Sequence, residues 1–180
     1  MKRQNFLRAQ SACEKVLRWR KKLSPEAYLQ CKRGGDLLLL HGMLYPDFST
    51  HPKEVRKRVL VAGLVANLVR DKMTDARCID ATDAAIAFGK GEIGIDSLNK
   101  AANAAYAATH YTVKSTKADN AACAAAHAAA YATQASNVVD CVAYVTYPND
   151  VNYAAYADAI YAKSAAIFRD IISFEEMIKK

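Results

Sequence analysis

The stretch AANAAYAATHYTVKSTKADNAACAAAHAAAYATQA, residues 101–135, contains 17 alanines in 35 positions. Alanine has the highest intrinsic helix propensity, and Asn, Tyr and His interrupt the run at helical spacing, so the stretch predicts helix rather than low-complexity coil. An alanine face carries little bulk, and it lets a neighbouring helix approach at the short end of the ~8–10 Å interaxial range. The stretch therefore predicts two closely packed antiparallel helices at the centre of the fold.

The segments that precede this stretch also follow helical patterns. Residues 4–22 place apolar side chains at spacings of three and four. Ser24 and Pro25 are the residue types that favour a helix N-cap and the first helical position. The sequence KRGG (32–35) is expected to break that helix, because two glycines favour backbone conformations that helices lack. Asp36 is then the expected cap of the next helix.

Further helices are expected along the rest of the chain. Pro52 opens a helix to about residue 71, with a broad apolar stripe on one side and Arg56, Lys57 and Arg58 toward the other. No stretch alternates with period two over a useful length. The prediction is an all-α, single-domain bundle of about eight helices with short connections. One further helix begins at Thr74 or Asp75 and ends at GKG (89–91), and another begins at Asp96 or Ser97. Helical patterns also cover residues 117–147 and 150–172, and SFEE (173–176) has the form of a capping box.

The positive charge of the chain is concentrated at one end. The net charge is +7, and residues 1–33 hold ten Lys and Arg against two acids, a net of +8. The remainder holds fifteen against sixteen, a net of −1. We therefore divide the chain into a basic N-terminal helix at 1–24 and a helical domain at 25–180. The basic end suits an anionic partner, which is a nucleic acid, a nucleotide or an acidic protein surface.

The five cysteines have wide, irregular spacings without a C-x-x-C pair. They predict reduced, mostly buried thiols in a cytoplasmic protein. The start of the chain has no secretory signal pattern, and the apolar runs are far shorter than the ~20 residues that cross a bilayer, so no membrane partner is expected.

Motifs for catalysis and metal binding are absent from the sequence. G-x-S-x-G, H-E-x-x-H and a Walker loop do not occur. Cys123 and His127 lie one helical turn apart, but no orienting acid or oxyanion donor accompanies them. His110 would be a third zinc ligand, and no fourth is evident. We therefore predict a protein that is not an enzyme and has no catalytic residue, metal or cofactor.

Polar residues in the alanine-rich stretch follow two helical stripes. Positions i, i+3 and i+7 share one face of a helix. If the stripes face each other, they would line a groove suited to hydrogen bonding and stacking with a base or ribose. If the stripes instead face solvent, or their polar groups bond each other, the alanine faces alone form the core. Both interpretations, the groove and the core of alanine alone, stay open. The stripes are Asn103, Tyr106 and His110, and Asn120, Cys123 and His127, the second extended by Tyr131 and Gln134.

The sequence AYLQCKRGGDLLLL (27–40) resembles the opening motif of a family of immunity proteins found beside bacterial polymorphic toxins. The matching positions are Tyr28, Cys31, Gly35 and Asp36. Three further landmarks follow in order, namely DARCIDATDAAIAFGKGEI (75–93) with its Arg77, the alanine double repeat, and IFRDII (167–172). The resemblance spans roughly residues 25–173, and similar domains also occur in uncharacterised phage proteins.

The resemblance implies a cytoplasmic protein that neutralises a toxin or a defence effector by binding it. The alternative is a phage-type protein that sequesters a small anionic, nucleotide-derived signal in the groove between the stripes, and a third is a nucleic-acid-binding helical protein. A homo-oligomer remains open, because alanine faces suit a dimer as well as a monomer. The candidate ligand- or partner-binding residues are Asn103, Tyr106, His110, Asn120, His127, Tyr131, Arg33, Asp36 and Arg77.

Overall fold

The computed structural model describes residues 24–111 and 153–178, together with residues 126, 139, 141 and 142. These residues form α-helices and one 3-10 helix, and this part of the chain has no strand, which confirms the all-α prediction. It holds seven α-helices, where about eight were predicted for the whole chain. The predicted helix at 4–22 lies outside it, and of the predicted helical segment 117–147 it includes only residues 126, 139, 141 and 142, which are helical. The helices are α1 (Pro25–Gln30), α2 (Gly34–Leu44), α3 (Pro52–Ala66), α4 (Ala76–Lys90), α5 (Ile95–Tyr111), α6 (Tyr153–Ile171) and α7 (Phe174–Ile178), with the 3-10 helix Asn67–Lys72 after α3.

The start of α1 agrees with the sequence, and the start of α2 differs from it. The Ser24 side chain accepts a hydrogen bond from the backbone N–H of Ala27 at 3.2 Å, and Pro25 occupies the first turn. However, α2 begins at Gly34 with Arg33 at its N-cap, so Asp36 lies in the first turn and is not the cap. Both glycines lie inside the helix, and Gly34 packs directly against α6, where a side chain would not fit.

The contact between Gly34 and α6 predicts that replacing Gly34 by alanine destabilises the protein, whereas a Gly-to-Ala substitution within a helix usually stabilises it. A Cβ atom on Gly34 would lie 2.6 Å from the carbonyl carbon of Ser164, and backbone cannot easily yield. Gly34→Ala is therefore expected to lower the free energy of unfolding by about 1–3 kcal/mol. The matched control is Gly42→Ala in the same helix, whose Cβ would lie 3.6 Å from Arg58 Nη1. That variant is expected to gain about 0.5–1 kcal/mol. Urea denaturation measures both, and equal stability of Gly34→Ala and the wild type would contradict the close packing.

The polar side of α3 differs from the prediction at one residue. The helix begins at Pro52, as expected, and continues into the 3-10 helix up to Lys72. Arg58, expected on the polar side, is only 2% exposed and donates a hydrogen bond to the carbonyl of Tyr45 at 2.7 Å. The reason is helical geometry, since position 58 lies one turn from Val55 and Ala62 on the buried face.

Helices α4 and α5 form a packed pair that continues the core. Asp75 caps α4 and accepts a hydrogen bond from the backbone N–H of Arg77, as the sequence predicted for this position. Gly91 ends the helix at φ +86°, a left-handed conformation that favours glycine. Helix α5 begins at Ile95, so Asp96 and Ser97 lie in its first turn. Its buried positions in contact with the core are Leu98, Ala102, Ala105 and Ala108.

Because alanines of α5 are buried, larger side chains at these positions are expected to lower the stability of the protein. Ala105 is completely buried, and α5 packs against α4. Ala105→Leu is expected to overpack this face and to lower the free energy of unfolding by about 1–3 kcal/mol. Lys100→Leu, at an exposed position of the same helix, is the control and is expected to change it by less than about 0.5 kcal/mol. A thermal melt of Ala105→Leu at the wild-type temperature would exclude close packing at this face.

The C-terminal helices close the core against α2 and α3. Helix α6 packs on both and buries Ala165 and Phe168. The predicted capping box is confirmed, because the Glu176 carboxylate accepts from the Ser173 backbone N–H at 3.0 Å and the Ser173 hydroxyl accepts from the Glu176 N–H at 3.3 Å. This box starts α7 immediately after α6 and directs Met177 into the core.

The structure bears on two further predictions, one about the cysteines and one about helices that could cross a membrane. Cys78 is buried and disulfide-bonded, whereas Cys31 is not part of a disulfide. The expectation of five reduced thiols is therefore wrong at Cys78. Across residues 24–111 and 153–178, no helix has both the length and the apolar character needed to cross a bilayer.

Candidate functional site

The opening motif of the resemblance folds into a corner, residues 24–36, that we call the α1–α2 corner. Tyr28 is buried there, and its hydroxyl donates a hydrogen bond to the carbonyl of Ile172. Its ring lies against Phe168 and Phe174, with centroid distances of 6.4 and 5.8 Å. Burial raises the pKa of Tyr28 to about 12, so the hydroxyl remains a donor at neutral pH. Tyr28 therefore attaches α1 to the C-terminal end of the chain.

A second bond attaches the residues that follow α1. Arg169 of α6 donates from Nη1 to the carbonyl of Cys31 at 2.8 Å. The Cys31 thiol lies 3.7 Å from the carbonyl of Arg33, and burial raises the pKa of this thiol. A thiol with a raised pKa is a poor nucleophile at neutral pH, because the thiolate is the reactive form. The carbonyl of Cys31 thus holds the segment after α1 to α6.

The outer side of the α1–α2 corner carries charged and apolar side chains. The Arg33 guanidinium stacks over the Tyr161 ring at 4.9 Å from its centroid, and Arg33 Nε lies 4.0 Å from Asp36 Oδ2. The structure therefore brings the predicted residues Arg33 and Asp36 together. Leu29, between the buried Tyr28 and the exposed Lys32, is 65% exposed. The sequence did not indicate Leu29 or Tyr161 as part of this surface.

A buried polar centre lies beneath this corner, between α2, α3 and α6. His41 is 1% exposed, and its Nδ1 atom has no hydrogen-bond partner. Its ring centroid is 4.9 Å from that of Tyr45 and 6.0 Å from that of Phe168. Burial lowers the pKa of His41 to about 3, and the positive charge of Arg58 acts in the same direction. His41 is therefore neutral at physiological pH.

The buried centre is a feature of the core rather than a reaction site. Burial lowers the pKa of Arg58 to about 10, which leaves it charged at neutral pH. On the solvent side, Lys57 pairs with the Glu176 carboxylate, and the Tyr45 hydroxyl donates to the Glu176 carbonyl at 2.6 Å. A substrate cannot reach His41 or Arg58 while they are 1–2% exposed. The sequence did not single out His41, and the one sign that Arg58 would be buried was its position one turn from Val55 and Ala62.

The first polar stripe lies on the outer side of α5. Asn103 is exposed and Tyr106 is 48% exposed, whereas Ala102, Ala105 and Ala108 are buried. Alanine therefore forms the buried face of α5 at these positions, and both readings of the polar stripes stay predictions. Whether the stripes face each other is untested, because the side chain of His110 and the residues Asn120, His127 and Tyr131 lie outside the described part of the chain.

The last predicted site residue, Arg77, belongs to a helix terminus. Its guanidinium donates to both oxygens of the Asp75 carboxylate, at 2.9 and 2.6 Å. This bond holds the pKa of Asp75 below its usual value and completes the cap of α4. Arg77 thus pairs with Asp75 at the start of α4, whereas Arg33 and Asp36 lie at the start of α2.

Two further observations bear on function. Among the residues that the structure describes, no three His, Cys, Asp or Glu side chains are grouped as metal ligands would be. Comparison with family models, curated proteins and solved structures finds no match to this chain.

Proposed function

We propose that this chain is a non-enzymatic neutralising protein that inactivates a toxin or a defence effector by binding it. The observation that carries the proposal is the construction of the α1–α2 corner. Tyr28 and Arg169 hold it to α6 from inside, while Leu29 and Arg33 face outward. A surface that is rigid before binding loses little conformational entropy on association, which favours tight complexes.

The proposed architecture follows from the same helices. We expect one cytoplasmic bundle of about eight helices with the two alanine-rich helices packed at its centre, preceded by the basic helix at 1–24. The buried alanine face of α5 supports the close packing. Inactivation would occur by occlusion, in which the helical surface covers the active site of the target. Basic and Tyr side chains would meet acidic and apolar groups there, as in other protein interfaces.

Co-expression tests the proposal directly. Each toxin or effector gene that neighbours the gene of this chain is induced alone in a bacterial host, and then together with the chain. We expect one of these genes to arrest growth and the chain to restore growth. Purified chain should also form a stoichiometric complex with that gene product in size-exclusion chromatography. Growth arrest by such gene products without rescue by the chain would contradict the proposed function.

A second candidate function is sequestration of a nucleotide-derived signal. It is favoured by Asn103 and Tyr106, which present an amide and a phenol on the surface of one helix. Cyclic and linear oligonucleotide signals are added to the purified chain, and the melting temperature is measured. A ligand at 100 times its dissociation constant adds about 2.7 kcal/mol of stability. If the signal is recovered unchanged after heat denaturation the chain is a sequestering protein, and if it is recovered altered the chain is an enzyme.

A further inference from the structure

We infer that protonation of His41 releases helix α7 from the core, so that acid opens the C-terminal end of the fold before the fold as a whole unfolds. The inference goes beyond the proposed function and is independent of it, because it concerns an equilibrium within the chain itself. His41 is 1% exposed, and its Nδ1 atom has no hydrogen-bond partner among the described residues. An imidazolium carries a hydrogen on both ring nitrogens, so the closed fold leaves one of these donors without water or an acceptor.

The charged groups that face His41 come from two helices, and cations outnumber carboxylates. From α3, the Arg58 guanidinium and the Lys57 ammonium lower the pKa of the ring, in addition to the larger effect of burial. From α7, the Glu176 carboxylate raises this pKa. The acid that opposes the two cations therefore belongs to the short C-terminal helix. The aromatic rings that face His41 are those of Tyr45 on the α2 side and Phe168 of α6, at centroid distances of 4.9 and 6.0 Å.

Helix α7 closes this buried centre through few bonds. The Tyr45 ring lies against the imidazole, and its hydroxyl donates to the carbonyl of Glu176 at 2.6 Å, while the Glu176 carboxylate pairs with Lys57. Within residues 174–177, only Met177 is buried. By contrast, α2, α3 and α6 are 11, 15 and 19 residues long and pack on one another. Water therefore reaches the ring at the lowest cost by release of α7, since parting the long helices would unfold the core.

Proton linkage gives the direction of this release. In an open state with a hydrated imidazole, the pKa of His41 returns to its ordinary value of 6.5, whereas burial lowers it to about 3 in the closed fold. Between these two values the open state binds one more proton than the closed state, so a fall in pH favours opening. From these values, the ratio of open to closed molecules grows about 25-fold between pH 7 and pH 5.

Amide hydrogen exchange of the full chain, followed by NMR and corrected for the intrinsic effect of pH, tests the inference. The reporter is the N–H of Met177, which donates to the carbonyl of Ser173 at 3.2 Å. We expect its protection to fall by at least about 10-fold from pH 7 to pH 5 in the wild type, and by less than about 2-fold in His41→Leu. The matched control is His51→Asn, which should behave as the wild type. The His51 ring lies 5.3 Å from the Tyr45 ring but is not buried.

The outcomes decide between His41, other groups and global unfolding. Constant protection of Met177 in the wild type, an equal fall in His41→Leu, or a fall that His51→Asn removes would each overturn the inference. Up to about 1 M urea should leave the exchange of Met177 unchanged and accelerate amides of α4 that exchange by global unfolding. Equal urea dependence of both would overturn the local release.

The wild type alone decides the result if His41→Leu does not fold. Protection of Met177 should then begin to fall near pH 6.5, the ordinary pKa of the imidazole. A fall confined to pH values below about 5 would belong to carboxylates and would overturn the role of His41.

Discussion

Tyr28→Ala is expected to lower the free energy of unfolding by about 3–5 kcal/mol, the usual cost of removing a buried aromatic side chain. Tyr28 is 3% exposed and joins α1 to Phe168 and Phe174. The variant would leave a cavity between α1, α6 and α7 and would also remove the hydroxyl that bonds Ile172. Urea or guanidinium denaturation followed by circular dichroism measures the loss.

Two neighbouring variants separate the packing of Tyr28 from its hydrogen bond. Tyr28→Phe keeps the ring and leaves the Ile172 carbonyl without its donor, so it is expected to cost about 1–3 kcal/mol. Leu29→Ala, one residue away but 65% exposed, is expected to cost less than about 0.5 kcal/mol. If Tyr28→Ala and Leu29→Ala lost equal stability, the attachment of α1 through Tyr28 would be wrong.

Acid is expected to destabilise this protein through His41. The imidazole has a pKa of 6.5 in the unfolded chain and about 3 in the fold, so between these values the unfolded chain binds the extra proton. Stability therefore rises with pH in this window and is lost as pH falls below about 6.5. The two pKa values predict a loss of about 2 kcal/mol between pH 7 and pH 5, and of about 5 kcal/mol once pH falls below 3.

The groups around His41 explain why its pKa is lowered in the folded protein. Burial is the largest cause, and Arg58 and Lys57 of α3 add like charge. Glu176 of α7 opposes them, but it also pairs with Lys57. The Nδ1 atom has no acceptor or donor to satisfy it in either protonation state. An imidazolium at this position would therefore lack both solvent and a direct counter-ion.

His41→Leu isolates this effect from the acids of the rest of the chain. Leucine has a similar volume, cannot ionise, and should pack between Tyr45 and Phe168. We expect the variant to lose about 2 kcal/mol less than the wild type between pH 7 and pH 5. Denaturation curves of both proteins at the two pH values give the difference. Parallel pH profiles for wild type and variant would show that His41 is not the group responsible.

The sequence predicted local features of the fold with few errors. The caps at Ser24 and Asp75 and the capping box at Ser173 are confirmed, because a cap depends on residues within one helical turn. The predicted start of α2 was wrong, because Gly34 lies inside the helix and packs against Ser164, 130 positions away. Arg58 was also placed on the wrong face, because its charge was given more weight than its position in the apolar stripe.

The candidate site was predictable only in part, for the same reason. Arg33 and Asp36 were indicated by the opening motif and do lie together. Leu29 carries no signal in a sequence, since its exposure follows from the burial of Tyr28 against residues 140 positions later. Tyr161 became part of the surface only when α6 packed against α2. The polar stripes remain a prediction.

By itself, the sequence determined that this protein is all-α and where many of its helices begin, because helix propensity and capping act between residues a few positions apart. It also determined that alanine would form the buried face of α5. Only the tertiary structure decided which groups became buried or exposed. The distant bonds of Tyr28 and Arg169, the neutral His41 beside Arg58, and the outward Leu29 all arise from contacts between chain segments, which local sequence does not encode.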